Sequence, residues 1–321
     1  MANKNVLILG ATGQDGSYLS KLLVNKGYNV YGSTRDVCSA NLDNFKKLGI
    51  DKEINLISTT INDFRSLILT LEKVKPDMIF HLAGQTSVGL SFELPFESLN
   101  SIAISTLNLL ETVRFFDTNI KLFIPCSSDC FGELSIDNPA NENTLHNPRS
   151  PYAISKSASY WLAKSYRESY GMFISVGFLS NHESPLRGKH FVTSKILKEI
   201  KLIKNKKISK LYLGNLDIIR DWGWAPSYVE AIYRIMMYDS PDDFIVSTGK
   251  SFSLNYMIEK LFELSGLGDY QNFIRLNNSQ IRPNEIRACY LNPSKIEKLL
   301  NWKQEIDFES MIHKLVKEEL Y

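Results

Sequence analysis

The hydrophobic pattern changes period within the first thirty residues. VLILG (6 to 10) is a continuous apolar run, the mark of a strand buried on both faces of a parallel sheet. In the stretch that follows, Tyr18, Leu19, Leu22 and Leu23 recur at helical spacing, and YNVYG (28 to 32) returns to a strand pattern. Strand, glycine turn, helix and strand make a βαβ unit. Further apolar runs at INLIS (54 to 58), DMIFHLAG (77 to 84), KLFIPCSS (121 to 128) and MFISVGFLSN (172 to 181) alternate with helical stretches. That alternation predicts an α/β fold on a doubly wound parallel sheet.

Composition narrows the class without altering that picture. With 321 residues, 44% of them hydrophobic, the chain can bury the core of one large or two modest domains. Thirty-seven basic and 35 acidic residues give a net charge of +2. The one dense basic run, KLIKNKKISK (201 to 210), reads as a solvated helix end and loop, so neither a nucleic acid nor a membrane is expected as a partner. The N-terminus opens on a strand with no basic leader, and no run of about 18 apolar residues occurs, which predicts a cytoplasmic protein. Cys38, Cys126, Cys130 and Cys289 suit a reducing compartment. Cys126 and Cys130 stand four apart with no second Cys/His pair nearby, so no metal site is expected.

The chemistry begins in the first turn, where Gly10, Gly13 and Gly16 are spaced G-x-x-G-x-x-G. In isolation a purely structural turn would look the same. Between a first strand and a helix, the missing side chains let backbone N–H groups and a helix N-terminus approach a pyrophosphate, as in a Rossmann sheet. The second strand should end beside the adenosine ribose, where an acid favours NAD and a cation favours the 2′-phosphate of NADP. Here Gly32, Ser33, Thr34 and Arg35 stand at that end, which favours NADP. NAD is the alternative, because Asp36 follows directly and an Arg–Asp surface pair would read the same way.

In such sheets ligands sit at the carboxyl ends of the strands, and CSSDCFG (126 to 132) lies just past one of them. Tyr152 and Lys156, four apart in SPYAISKSASYW (150 to 161), share one face of a helix. A nearby ammonium should lower the tyrosine pKa toward working pH, and the same lysine can hold a nicotinamide ribose. Alone, the pair would fit many exposed helices; behind a glycine-turn βαβ unit and a hydroxyl-bearing strand end it reads as functional.

These residues, with YRESYGM (166 to 172), NHESP (181 to 185), FVTSK (191 to 195), LYLGNLDIIRDWG (211 to 223) and RPNEI (282 to 286), resemble the GDP-mannose 4,6-dehydratase branch of the extended short-chain dehydrogenase/reductases. The motifs follow the family's order along nearly the whole chain. The resemblance implies a Rossmann domain over residues 1–180 and a smaller, interleaved nucleotide-sugar domain over 181–321, with segments near 215–250 returning to the first. It implies a GDP-sugar substrate (GDP-mannose, GDP-manno-heptose or GDP-N-acetylglucosamine), oxidised at C4, dehydrated across C5 and C6 and reduced at C6, and a homodimer or homotetramer. Tyr152 would be the base at O4, supported by Lys156 and Ser127, and Asp129 the base at C5 and proton donor at C6. Gly10, Thr12, Gly13, Gln14, Asp15, Gly16, Arg35, Asp63, Leu82, Ala83, Tyr152 and Lys156 would contact the cofactor. Ser87, Ser128, Asn181, Val192, Lys195, Arg220, Arg282 and Glu285 would contact the substrate. For Arg220, Arg282 and Glu285 the competing expectation is surface ion pairing, Arg220 with Asp221 and Arg282 with Glu285. The histidines, His81 and His182 among them, are expected to be structural.

The departures from the family pattern bear on function. Where the family reads Ser-Thr-Ser-Glu-Leu-Tyr-Gly, this chain has Cys126, Ser127, Ser128, Asp129, Cys130, Phe131 and Gly132. Aspartate for glutamate shortens the acid's reach by roughly 1.5 Å, and about an ångström of misplacement can cost on the order of a hundredfold in rate. Thr60 replaces an acid near the adenine, Ser194 replaces an arginine, and the segment before Arg282 is shorter. Two other functions stay open on these grounds: an oxidoreductase or epimerase acting at C4 without loss of water, and a non-catalytic nucleotide-sugar sensor.

Overall fold

A computed structural model describes residues 4–320. Twelve strands are formed among them: β1 (Asn5–Leu9), β2 (Asn29–Thr34), β3 (Asn55–Ser58), β4 (Met78–His81), β5 (Lys121–Ser127), β6 (Ile174–Leu179), β7 (Asn181–Glu183), β8 (Leu211–Leu213), β9 (Ile219–Trp224), β10 (Asp243–Val246), β11 (Ser251–Ser253) and β12 (Ile274–Leu276). Seven of them make one sheet in the order β10-β6-β5-β4-β1-β2-β3, parallel throughout. The chain builds outward from β1 to β3, then restarts at β4 on the other side of β1. The crevice between the ends of β1 and β4 is therefore a topological switch point.

The continuous apolar runs have a simple cause. Val6 and Ile8 of β1 pack into one helical layer with Phe80 and Phe123, whereas Leu7 and Leu9 pack into the opposite layer with Ile79 and Leu122. A strand covered on both faces has no polar side to alternate with. The run at 172–181 divides, and that division shapes the site. Ser180 leaves the main sheet after donating its N–H to the Val246 carbonyl, and Asn181–Glu183 join a second sheet, β11-β9-β7. The helix Ala225–Met237 then packs against the helix Gln14–Asn25, and β10 adds to the edge of the main sheet beside β6. A third apolar core under the small sheets includes Ile196, Trp222, Phe262, Met311 and Leu315. Among the described residues no helix is long and apolar enough to cross a membrane.

Candidate active site

Three glycines open the site, for different reasons. Gly10 has φ +83°, and a Cβ there would lie 2.8 Å from the backbone of Ala83. A Cβ on Gly16 would lie 2.4 Å from the Gly10 carbonyl oxygen. Both positions are required by packing of the turn. Gly13 is exposed, has φ −69°, and would carry a Cβ no closer than 3.5 Å to its neighbours. The fold does not demand a glycine there, and the space outside the turn is open. Gly13 caps the helix Gln14–Asn25 with no side-chain hydrogen bond, which leaves first-turn N–H groups facing outward.

Neighbouring side chains tie this turn to β7. Gln14 Nε2 donates to the His182 carbonyl at 3.2 Å, Ser184 Oγ donates to Gln14 Oε1 at 2.8 Å, and Asp15 meets the His182 ring. The Thr12 carbonyl accepts from Asn44 at 3.0 Å. Arg35 is exposed past the end of β2 and makes no ion pair among the described residues. The expected alternative, a pair with Asp36, does not form, because Asp36 accepts instead from Cys38 N–H at 2.9 Å and Ser39 Oγ at 2.8 Å. Asp63 caps the helix Phe64–Val74 through Arg65 N–H, at the end of β3 and outside the main cleft.

At the end of β5 the backbone tightens into a 3₁₀ turn, Ser128–Phe131, capped by Ser127 Oγ, which accepts from the Asp129 N–H at 3.2 Å. Gly132 closes the turn at φ +75°, where a Cβ would meet the Asn147 carbonyl at 2.4 Å. The turn holds Asp129 at the cleft wall. Opposite stands the helix Pro151–Tyr170, started by Ser150, whose hydroxyl accepts from Ala153 N–H, and by Pro151 in its first turn. Two buried thiols fix the spacing between turn and helix: Cys126 Sγ donates to the Lys156 carbonyl and Cys130 Sγ to the Ala153 carbonyl, with the sulfurs 3.4 Å apart. All four cysteines are free.

The electrostatics of Tyr152 differ from the expectation. Burial pushes its phenol up, the Asp129 carboxylate pushes it further, and a hydrogen bond with Ser127 opposes both. Lys156 is 8% exposed, and its Nζ donates to the Pro125 carbonyl at 2.9 Å. Burial lowers the ammonium's own pKa. The lowering of Tyr152 expected from a neighbouring ammonium does not appear in this geometry, where desolvation and the Asp129 carboxylate set the direction.

One cleft collects Asp15, Leu82, Ala83, Ser87, Ser127, Ser128, Asp129, Tyr152, Lys156, Asn181, Val192, Arg220 and Arg282. Asp129, Arg220 and Arg282 also line an adjoining compartment with Arg149 and Glu285. Arg220 is 5% exposed, and its guanidinium donates to the carbonyls of Ile219, Ile286 and Arg287. Asp221 is bound instead to Ser180 and Thr248, so the expected Arg220–Asp221 pair is absent. Arg282 stands 3.9 Å from Glu285, whose carboxyl is raised by burial against the pull of Arg282 and Arg220. Lys195 departs from its expected place: its Nζ is held by the Tyr212 carbonyl and Gln280 Oε1, and it lines neither compartment. His182, Glu183, Arg187, His190 and Arg149 line the site and were not expected there. Within NHESP the resemblance assigns a ligand contact to Asn181 alone, and nothing in local spacing marks Arg149 or Arg187 as convergent. No group of three or more potential metal ligands occurs among the described residues.

The sequence profile described as GDP-mannose 4,6 dehydratase matches residues 7–315. The chain belongs to the GDP-mannose 4,6-dehydratase family. GDP-mannose 4,6 dehydratase 2 of Arabidopsis thaliana is 37% identical over 327 residues, covering 99% of this chain and 87% of the relative. A GDP-mannose 4,6-dehydratase of Vibrio cholerae is 35% identical over 350 residues, covering 99% and 94%. Among solved structures, a dTDP-glucose 4,6-dehydratase from Streptomyces venezuelae with NAD bound has TM-score 0.86 at 19% identity, covering 97% of this chain and 95% of its own. A UDP-glucose 4-epimerase from Thermotoga maritima with UDP-glucose has TM-score 0.85 at 21% identity, covering 98% and 97%. These structures share the fold of the family member described here.

Proposed function

We propose that the chain is an NADP-dependent GDP-sugar 4,6-dehydratase, with GDP-mannose the leading substrate and GDP-manno-heptose and GDP-N-acetylglucosamine its competitors. The observation that carries the proposal is the placement of Asp129 on the wall between two compartments, one holding Tyr152 and Lys156 and the other holding three arginines. A sugar in the first compartment leaves its diphosphate beside Arg149, Arg220 and Arg282, where guanidinium geometry matches phosphate oxygens. The glycine turn, the uncapped helix N-terminus and the unpaired Arg35 fit a phosphorylated dinucleotide, which would lie from Arg35 to Lys156. When bound, it supplies the hydride acceptor and donor.

The chain's own groups then handle the protons. Tyr152, hydrogen-bonded to Ser127, takes the O4 proton, and Lys156 next to it fixes the ribose. Asp129 takes the proton from C5, made acidic by the neighbouring 4-keto group, and delivers a proton to the C6 oxygen, which leaves as water. The shorter acid favours a second reading, C4 oxidation or epimerisation without elimination. Incubation with a panel of GDP-sugars in heavy water separates the two. Product lacking one water with deuterium at C5 supports dehydration, whereas a 4-keto product retaining every oxygen rejects it.

Self-association as a dimer or tetramer belongs to the same proposal, supported by Phe96, Phe115 and Trp161, which are 79%, 77% and 52% exposed. A monomer mass by light scattering would remove it.

A further inference from the structure

Strand β7 carries the His182 ring to the first turn of the helix Gln14–Asn25. His182 Nδ1 lies 2.7 Å from the Ser180 carbonyl oxygen, and Nε2 lies 3.0 Å from both oxygens of Asp15. A carbonyl oxygen only accepts, so Nδ1 carries a hydrogen. A neutral imidazole has one N–H, which would leave Nε2 bare and facing a carboxylate, lone pair against lone pair. The contact therefore requires a second proton on the pair. Burial pushes the Asp15 carboxyl up, but His182, Arg187 and Gln14 together bring it down to about 2, which keeps Asp15 ionised beside the ring. The ring is held in its plane by stacking on Tyr228, 4.8 Å away and 24° from parallel.

The position of this pair gives it a function. Asp15 lies in the first helical turn, lines the cleft, and neighbours the N–H groups that no side chain caps. A carboxylate there complements the helix dipole, yet it would oppose the pyrophosphate of an arriving dinucleotide. An imidazolium against Asp15 cancels that charge without occupying the N–H groups.

We propose that His182 and Asp15 are a proton-holding pair that keeps the pyrophosphate end of the dinucleotide site neutral, so that loss of the ring proton uncovers Asp15 and weakens dinucleotide binding. The proposal rests on the reading of the glycine turn as a dinucleotide site. His182 is here a positioning residue, acting through Asp15. The charged and titratable groups around the pair are Tyr18 on its own helix, Tyr228 on the helix Ala225–Met237, Lys156, Arg187 with its ion-pair partner Glu183, and Asp221 on β9. Asp221 changes charge near neutrality, since burial raises it to about 6. Asp221→Asn is therefore the control, and it should keep the wild-type pH profile of binding.

Titration calorimetry of NADP⁺ and NAD⁺ into the full chain between about pH 5.5 and 8.5 tests the pair through its pH profile. Wild-type affinity should fall roughly tenfold as the ring loses its proton, and Asp15→Asn should remove that fall. Titration of the ligand's own 2′-phosphate is common to both proteins and cancels in the comparison. His182→Gln should bind roughly tenfold more weakly even at the acid end, and adding Asp15→Asn should restore the loss. A double variant as weak as His182→Gln, or equal profiles in wild type and Asp15→Asn, overturns the proposal. Long-range ¹H–¹⁵N spectra without cofactor supply an independent reading. His182 should carry hydrogens on both nitrogens at pH 7 in wild type and on one in Asp15→Asn, and a neutral ring in wild type sinks the idea. If wild type binds neither dinucleotide, the reading of the turn itself fails, whatever the ring's protonation.

Discussion

At the scale of a single residue, the proposed chemistry turns on Asp129. Its N–H is anchored to Ser127 and its turn to the helix of Tyr152, so the carboxylate has little freedom to advance toward a sugar by more than its own side chain. Asp129→Asn keeps the shape and removes the proposed base. Elimination should fall by about 10²–10⁴, the range for general acid–base catalysis, with C4 oxidation spared. Deuterium incorporation at C5 checks this, and unchanged incorporation would exclude Asp129 as the base. Asp129→Glu is the complementary test. If the turn has been reset for the shorter acid, the longer side chain should lower turnover. A gain of tenfold or more would show that this chain works with an impaired acid.

Elements set the distances between such residues. The glycine turn separates structural from ligand-facing demands within seven residues. Gly16→Ala forces a Cβ to within 2.4 Å of a backbone oxygen and should destabilise the fold by about 2 kcal/mol or more, seen as a lower midpoint of urea unfolding. Gly13→Ala meets nothing closer than 3.5 Å, so its stability should match wild type within about 0.5 kcal/mol while NADP⁺ affinity drops. Equal affinities for wild type and Gly13→Ala would mean that no ligand backbone approaches this position. The same reasoning identifies Cys126 and Cys130 as spacers between the Asp129 turn and the Tyr152 helix, a task their thiols perform by donating to two carbonyls.

At the scale of the whole molecule, Asp221 joins the two parts of the fold, bonding Ser180 at the exit from β6 and Thr248 after β10. Burial raises its carboxyl from 3.8 to about 6, so the folded state binds that proton more tightly than the unfolded chain does. Its contribution favours folding below about pH 4 and is lost as pH rises to about 6, by up to about 3 kcal/mol. Asp221→Asn should flatten the pH dependence of unfolding across that window, and an unchanged slope would show that the carboxyl is not the titrating group.

The α/β class, the parallel sheet and the placement of Tyr152 and Lys156 on one helix were legible in the sequence, because apolar runs and a four-residue helical interval are local periodicities that survive any packing. Asp129 was legible as an acid past a strand end, and Gly10 and Gly16 as a turn. The meeting of Asp15 with His182 across 167 positions, the holding of Arg220 by carbonyls of residues 286 and 287, and the diversion of Lys195 to Tyr212 and Gln280 carry no local period. The strand pairing of β7 with β9 and the return of the chain to the main sheet through β10 bring those groups together. Sequence by itself determined the first six parallel strands and what chemistry their ends carry; the tertiary structure alone decided which charges meet, because pairing between distant segments depends on topology and burial.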